Sequence, residues 1–150
     1  VIFTYINSIN SWNSQADILA GLGVPGYAKS HPFNYIALAF WSFSGPLDMA
    51  KVWNDPVKYI GASPDLGSTK DQIQKSIKKK YNDAGISVFI SAFGATEMPT
   101  SSDPVAVATS LATWVKGNNV DGVDIDYEDN DAMTLSTAEQ WLITFQRKLR

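Results

Sequence analysis

Residues 121–128 read Asp121-Gly122-Val123-Asp124-Ile125-Asp126-Tyr127-Glu128, inside a segment from Val120 to Tyr127 that has the texture of a β-strand. Asp124, Asp126 and Glu128 stand two residues apart. On a strand, alternate side chains share a face, so the three acids project one way and Val123, Ile125 and Tyr127 project the other, toward helices. The apolar side is ordinary packing. The acidic side is costly, because like charges ~6–7 Å apart and partly desolvated disfavour full ionisation of the set. Some proton must be kept or shared, and the outermost carboxyl, Glu128, is the natural holder. A carboxylic acid still protonated near neutral pH can donate to a leaving group. Strand interiors are depleted in Asp, so a solvated strand end explains the row poorly. A calcium loop fits no better, since the Gly and Glu it needs are out of register. A divalent ion on Asp124 and Asp126 is the alternative that stays open.

Outward from this stretch, the chain alternates strands and helices. Val1–Ile6 and Tyr35–Phe40 are short, continuous apolar runs, and Ile86–Ser91 is a third strand. A short helix is expected within Gln15–Leu22, and residues 46–67 are ambiguous, although Met49, Val52 and Trp53 can share a helical face. Ser68 with Asp71 resembles a capping box for a helix whose face is Ile73, Ile77 and Tyr81, ended by Gly85. Asp103-Pro104 opens a further helix lined by Val107, Leu111, Trp114 and Val115 and closed by Gly117. Ser136 with Glu139 forms a second capping box ahead of a stripe of Ala138, Trp141, Leu142, Phe145 and Leu149. Four strands each followed by helical sequence predict parallel βαβ units, and strands covered on both faces explain the unbroken apolar runs. Glu128 then falls at the C-terminal end of a parallel strand, the edge where α/β sheets and barrels place active sites.

The stretch Asp121–Glu128 resembles the D-G-x-D-x-D-x-E signature of glycoside hydrolase family 18, the chitinases and related endo-β-N-acetylglucosaminidases, at all five fixed positions. Ser91-Ala92-Phe93-Gly94 resembles the S-x-G-G that ends strand three in that family, with Phe93 in place of the first glycine. The resemblance implies an α/β fold, the (β/α)8 TIM barrel. Residues 1–150 supply its first four βα units, the N-terminal half of a catalytic domain. It implies cleavage of β-1,4 bonds at N-acetylglucosamine in chitin-type substrates by a substrate-assisted, retaining mechanism. Glu128 would protonate the glycosidic oxygen and later activate water. The substrate's acetamido carbonyl would attack the anomeric carbon. Asp126 would hold the acetamido nitrogen, Asp124 would hydrogen-bond Asp126 and share its proton, and Ser91 would lie beside them. No metal or organic cofactor is implied. Action on the chitobiose core of N-glycans, or a non-catalytic sugar-binding role on the same fold, are the other readings. Glu128 weighs against the last, since lectin-like relatives usually lose the acid.

Tyr5 on strand one and Phe40 or Trp41 at the end of strand two are candidates to line a sugar groove, because aromatic faces stack on pyranose rings; core filling serves them equally well. Trp12 is a loop candidate for an outer subsite. Asp121 has the opposite parity to the acid row and reads as a turn or strand-start residue. Lys78-Lys79-Lys80 reads as a solvated helix face. One His, His31, and no Cys make a zinc site improbable, and no nucleotide-binding glycine motif is present.

The whole chain is globular in balance, with 45% hydrophobic and 18% charged residues. A net charge of −3 argues against nucleic acid as a partner, and no apolar run is long enough for a membrane span. The expected partner is an N-acetylglucosamine-containing oligo- or polysaccharide, with secretion as the expected location. A (β/α)8 barrel takes ~250 residues, so the C-terminal half of the barrel is a further expected partner, as the rest of a longer chain or as another chain. The start at Val1 likewise suggests a processed or excised chain.

Overall fold

The computed structural model describes residues 3–6 and 34–150. The expected helix at 15–22, and with it Trp12 and His31, lie outside the described residues. Four strands, β1 (Phe3–Ile6), β2 (Tyr35–Trp41), β3 (Ser87–Phe93) and β4 (Gly122–Asp126), form one sheet in the order β1-β2-β3-β4. Every pairing is parallel. Helices α1 (Asp48–Asn54), α2 (Pro56–Tyr59) and α3 (Lys70–Asp83) join β2 to β3. Helix α4 (Pro104–Lys116) joins β3 to β4, and α5 (Asn130–Thr134) and α6 (Ala138–Leu149) follow β4. The architecture is therefore α/β with a parallel sheet, as the alternation predicts.

One face of the sheet makes the core. Ile36 and Leu38 of β2 and Val88, Ile90 and Ala92 of β3 lie in one buried cluster with Met49 and Trp53 of α1, Ile73 and Ile77 of α3, Val107 and Leu111 of α4, and Trp141 and Phe145 of α6. The pairings Ile36↔Val88, Leu38↔Ile90, Ile90↔Val123 and Ala92↔Ile125 keep that parity across the sheet. The other parity set turns away from these helices: Tyr5, Ala37, Phe89, Ser91, Asp124 and Asp126. Here Phe89 stacks on Tyr35, ring centroids 4.6 Å apart. Gly122 pairs with Phe89, and a Cβ at Gly122 would stand 2.7 Å from the ring, so the glycine of the acid motif makes room for an aromatic of the next strand.

The helix starts differ in detail from expectation. Helix α3 is capped one residue later, by a Thr69–Gln72 capping box instead of Ser68–Asp71. Ser136 does not cap α6. Its backbone is left-handed (φ 55°), and it closes α5: its N–H donates to Met133 and that of Thr137 to Ala132, the paired bonds of a Schellman ending. A residue spent ending one helix cannot start the next in cap geometry. Asp103, by contrast, caps α4 as expected, accepting the Ala106 N–H at 3.0 Å ahead of Pro104.

Two residues depart from strand parity. Trp41 is 2% exposed and meets Phe93 edge-on, so its indole belongs to the core and not to a sugar groove. The cause is a register break: Leu38 pairs with Ile90 but Trp41 with Ala92, one residue extra in β2. Phe93 shares sequence parity with Ser91, yet its φ of 84° redirects the ring into the helix layer, against Trp41, Trp141 and Phe145. The Phe93 ring therefore fills the core and does not project on the face that carries Ser91.

Asp121 is structural. Its Oδ2 accepts the Val88 N–H and the Asn82 amide, both at 2.9 Å, and its Oδ1 meets Lys78 Nζ at 2.8 Å. Lys78 is thus a clip between α3 and the start of β4, whereas Lys79 pairs with Asp83 on the exposed face. Burial pushes the Asp121 carboxyl up, but the Asn82, Lys78 and Val88 bonds outweigh it and hold it below the usual range.

Two outcomes are expected from denaturation. Phe93→Ala lowers stability by about 3–5 kcal/mol, the cost of emptying a fully buried ring. Asp121→Asn lowers it by about 1 kcal/mol at neutral pH, a figure that allows for partial solvent screening. Because the folded Asp121 is the stronger acid, its contribution is present above the unfolded pKa of ~3.9 and vanishes as pH falls through the lower folded value. Urea titrations at pH 7 and near pH 2 check the sign: the wild-type advantage must shrink in acid.

Candidate active site

The acid row stands at the C-terminal end of β4, in the strand register that brings β1 and β3 to it. Ser91 pairs directly with Asp124 across β3–β4. Its hydroxyl donates to Asp124 Oδ2 at 2.7 Å, and the Tyr5 hydroxyl donates to the same oxygen at 3.0 Å. Burial first, then the charges of Asp124 and Asp126 together with the bond to Asp124, push the Tyr5 phenol up to about 12. Tyr5 therefore stays protonated, and a donor, throughout the neutral range. Asp124 is held by two neutral hydroxyls, Ser91 from the neighbouring strand β3 and Tyr5 from β1 at the far edge of the sheet.

Asp126 is treated differently. Burial raises its pKa, followed by the charge of Glu128, the charge of Asp124 and a hydrogen bond with the Glu128 carboxyl. The upward shift therefore stands at the acid flanked on both sides by others of the row, Asp124 behind it and Glu128 ahead. The upward push falls on the middle acid, where the sequence points to the outermost one. Asp124 takes the Tyr5 and Ser91 hydroxyls as its donors.

Glu128 is exposed and lies two residues beyond the ladder, which ends at Asp126 and not at Tyr127. Its neighbours are both anchored. The Tyr127 hydroxyl bonds to Thr100 Oγ1, and its ring packs on Trp141 at 6.1 Å, as core filling. Asp129 is buried and accepts N–H groups of Thr100 at 3.3 Å and Ala132 at 3.1 Å. Capping α5 through Asp129 is what pulls the chain off the sheet after Asp126 and turns Glu128 outward at the rim. Thr100, in the short 3₁₀ turn Pro99–Ser101, fastens both flanks.

Aromatic groups border the row. Tyr5 is 37% exposed. Phe40 is half-buried, 6.1 Å from the Tyr5 ring, and lies over Gly94, where a Cβ would stand 3.1 Å from three of its ring carbons. Gly94, at φ 74°, donates its N–H to the Asp126 carbonyl at 3.0 Å. Of the sequence candidates, the structure gathers Tyr5, Phe40, Ser91, Asp124, Asp126 and Glu128 at one edge and leaves Trp41 in the core. Glu97, not singled out in the sequence, also belongs to this edge: its Oε1 accepts the Phe43 N–H at 2.9 Å. The only available signal was position, an acid in the loop leaving β3, where function-bearing groups collect.

Among the described residues, no group of three or more His, Cys, Asp or Glu side chains is arranged to hold a metal ion, and no helix is long and apolar enough to cross a membrane. Comparison with protein-family models, with curated proteins and with solved structures yields no match. The class the coordinates define is an α/β chain with a parallel sheet and a hydrogen-bonded carboxyl row at the strands' C-terminal edge.

One titration checks this electrostatic account. Carboxyl-carbon NMR should place Asp126 above the ordinary Asp range, and Glu128→Gln should bring it down by removing the neighbouring charge. A raised folded pKa stabilises only at low pH and is lost as pH rises, so Asp126→Asn should raise Tm at neutral pH and not in acid.

Proposed function

We propose that the row is the catalytic centre of a glycoside hydrolase acting on β-1,4 bonds at N-acetylglucosamine in chitin-type polymers, with the chain as the first four βα units of a (β/α)8 barrel. The observation that carries this reading is the connected set at the strand ends: Tyr5 and Ser91 on Asp124, and Asp126 on Glu128. The signature Asp121–Glu128 supports the substrate class. Two features support the barrel. Strand order follows chain order with the core on one face, as successive units of a barrel require. Beside the last strand an open apolar groove of about 420 Å³, lined by Val123, Ile125, Leu142, Phe145 and Leu149 among others, offers a seat for a further βα unit.

In this mechanism Glu128, exposed at the rim, gives a proton to the glycosidic oxygen. The carbonyl of the substrate's own 2-acetamido group attacks the anomeric carbon, and the aglycone leaves. Asp126 holds the acetamido nitrogen and opposes the positive charge that grows at the ring. That charge is larger in the transition state than in the bound substrate, so the carboxylate favours the former. Asp124, fixed by Tyr5 and Ser91, stands behind Asp126, whose pKa its charge helps to raise. Glu128, now a carboxylate, takes a proton from water as that water opens the oxazolinium ion. Phe40 and Tyr5 supply apolar faces for the sugar.

The protein carrying this chain should release the fluorophore from a chitobiose conjugate. Glu128→Gln should lose activity by a factor on the order of 10² to 10⁴, because the leaving oxygen then has no donor. Equal rates for the two proteins would sink the catalytic assignment.

A further inference from the structure

The edge that carries the acids has a second organised feature, the turn after β2. Ser42–Gly45 closes on itself: the Gly45 N–H donates to the Ser42 carbonyl at 3.1 Å, and the Ser42 hydroxyl reaches Ser44 Oγ at 2.8 Å and the Gly45 carbonyl at 2.9 Å. Turn tips favour Gly, Pro, Asn, Asp and Ser, yet this one presents Phe43, 42% exposed. The turn is not left to its own bonds. Glu97, fifty-four residues on in the turn after β3, accepts the Phe43 N–H with a carboxylate oxygen. The Glu97 turn is itself closed by its N–H to the Gly94 carbonyl at 3.3 Å. Gly94 is the residue that bonds to the Asp126 backbone and carries the Phe40 ring. A continuous rigid path therefore runs from the acid row through Gly94 and Glu97 to Phe43. Phe43 is three residues from Phe40, at most ~10 Å along the chain.

Stability alone explains Glu97 poorly. Its second oxygen, Oε2, is buried with no hydrogen-bond partner among the described residues. Leaving a carboxylate oxygen desolvated and unmatched costs free energy. Burial accordingly pushes the Glu97 carboxyl up, opposed by the Phe43 N–H and the nearby Ser42 hydroxyl. Such a cost is tolerated where it fixes something else in place. What it fixes is the backbone of Phe43, whose ring is exposed in the turn after β2.

We propose that Phe43 is a stacking platform for a sugar ring of the bound chain beyond those held at the acids, and that Glu97 is its positioning residue. The inference rests on the carbohydrate reading of the site. Aromatic faces bind pyranose rings with little loss of side-chain entropy, and a ring held by a charge-assisted bond to its backbone loses least. The platform selects for chain length: a long oligosaccharide reaches it and a disaccharide does not.

The test uses the full protein carrying this chain, with kcat and KM on a short and a long chito-oligosaccharide and binding of the long one by calorimetry. Thermal melts confirm that each variant folds. Phe43→Ala and Glu97→Ala should each raise KM and Kd for the long substrate about three- to tenfold, with a smaller rise on the short one. Phe43→Trp and Glu97→Gln, which keep an aromatic face and an acceptor, should recover the wild-type values. The double alanine variant should be no worse than Phe43→Ala, because Glu97 acts through Phe43. Unchanged long-substrate constants in Phe43→Ala, or a Glu97→Ala effect that persists without the ring, overturn the inference while wild-type hydrolysis keeps the catalytic reading intact. Binding that depends on Phe43 without hydrolysis does the reverse. A wild type that binds neither oligosaccharide overturns both.

Discussion

Three carboxyl groups at alternate positions of one strand repel one another, and the surroundings of β4 answer that repulsion in two ways. Asp124 receives hydroxyl donors from two other strands, so its charge is matched without a cation. At Asp126, burial and the charges of Glu128 and Asp124 raise the pKa instead. The asymmetry follows from the register. Ser91 stands opposite Asp124, whereas Asp126 stands opposite Phe93, whose ring has turned away into the core. The left-handed backbone at Phe93 thus has a chemical effect at a distance: it removes from Asp126 the cross-strand neighbour that would otherwise cover it.

This arrangement makes the acid row a readout of the whole sheet. Tyr5 is 119 residues from Asp124 in sequence, and their hydroxyl–carboxylate bond exists only because β1, β2, β3 and β4 lie side by side in order and in register. A slip of one residue at any pairing would exchange the acid face for the helix face. The core prevents the slip. Ile36, Leu38, Val88, Ile90 and Ala92 must all point at the helices, and they carry far more apolar area than the acid face could bury in exchange.

Much of this was legible in the sequence because it depends on local rules. Continuous apolar runs marked the strands, period two put the three acids together, and Asp103-Pro104 announced a helix. The misreadings share one physical origin, which is a backbone that departs from the local rule for a non-local reason. Trp41 and Phe40 are adjacent, and periodicity cannot say which faces the acids once an extra residue enters β2 between Leu38 and Trp41. Ser136 has the composition of a cap but is consumed by the ending of α5. The upward shift at Asp126 left no trace in the pattern because its causes, burial and the charges of the acids on both sides, include a neighbour that lies beyond the end of the strand. Glu97 left no periodic trace at all, since loop acids follow no period.

The eight residues of the acid motif divide their labour along these lines. Asp121 ties α3 to β3 and β4, and Gly122 is small because the Phe89 ring crosses it. Val123 and Ile125 pack on the helix side, and Tyr127 bonds to Thr100 there. Only Asp124, Asp126 and Glu128 face the open edge. The flanking half of the motif is therefore what gives the acid half its geometry: Asp121 fixes where β4 begins, and Tyr127 and Asp129 fix where the chain leaves it. Glu128 is exposed because the residues on both sides of it are not free to move. Its neighbour Asp126 stays one step further inside, where desolvation is the first cause of its raised pKa.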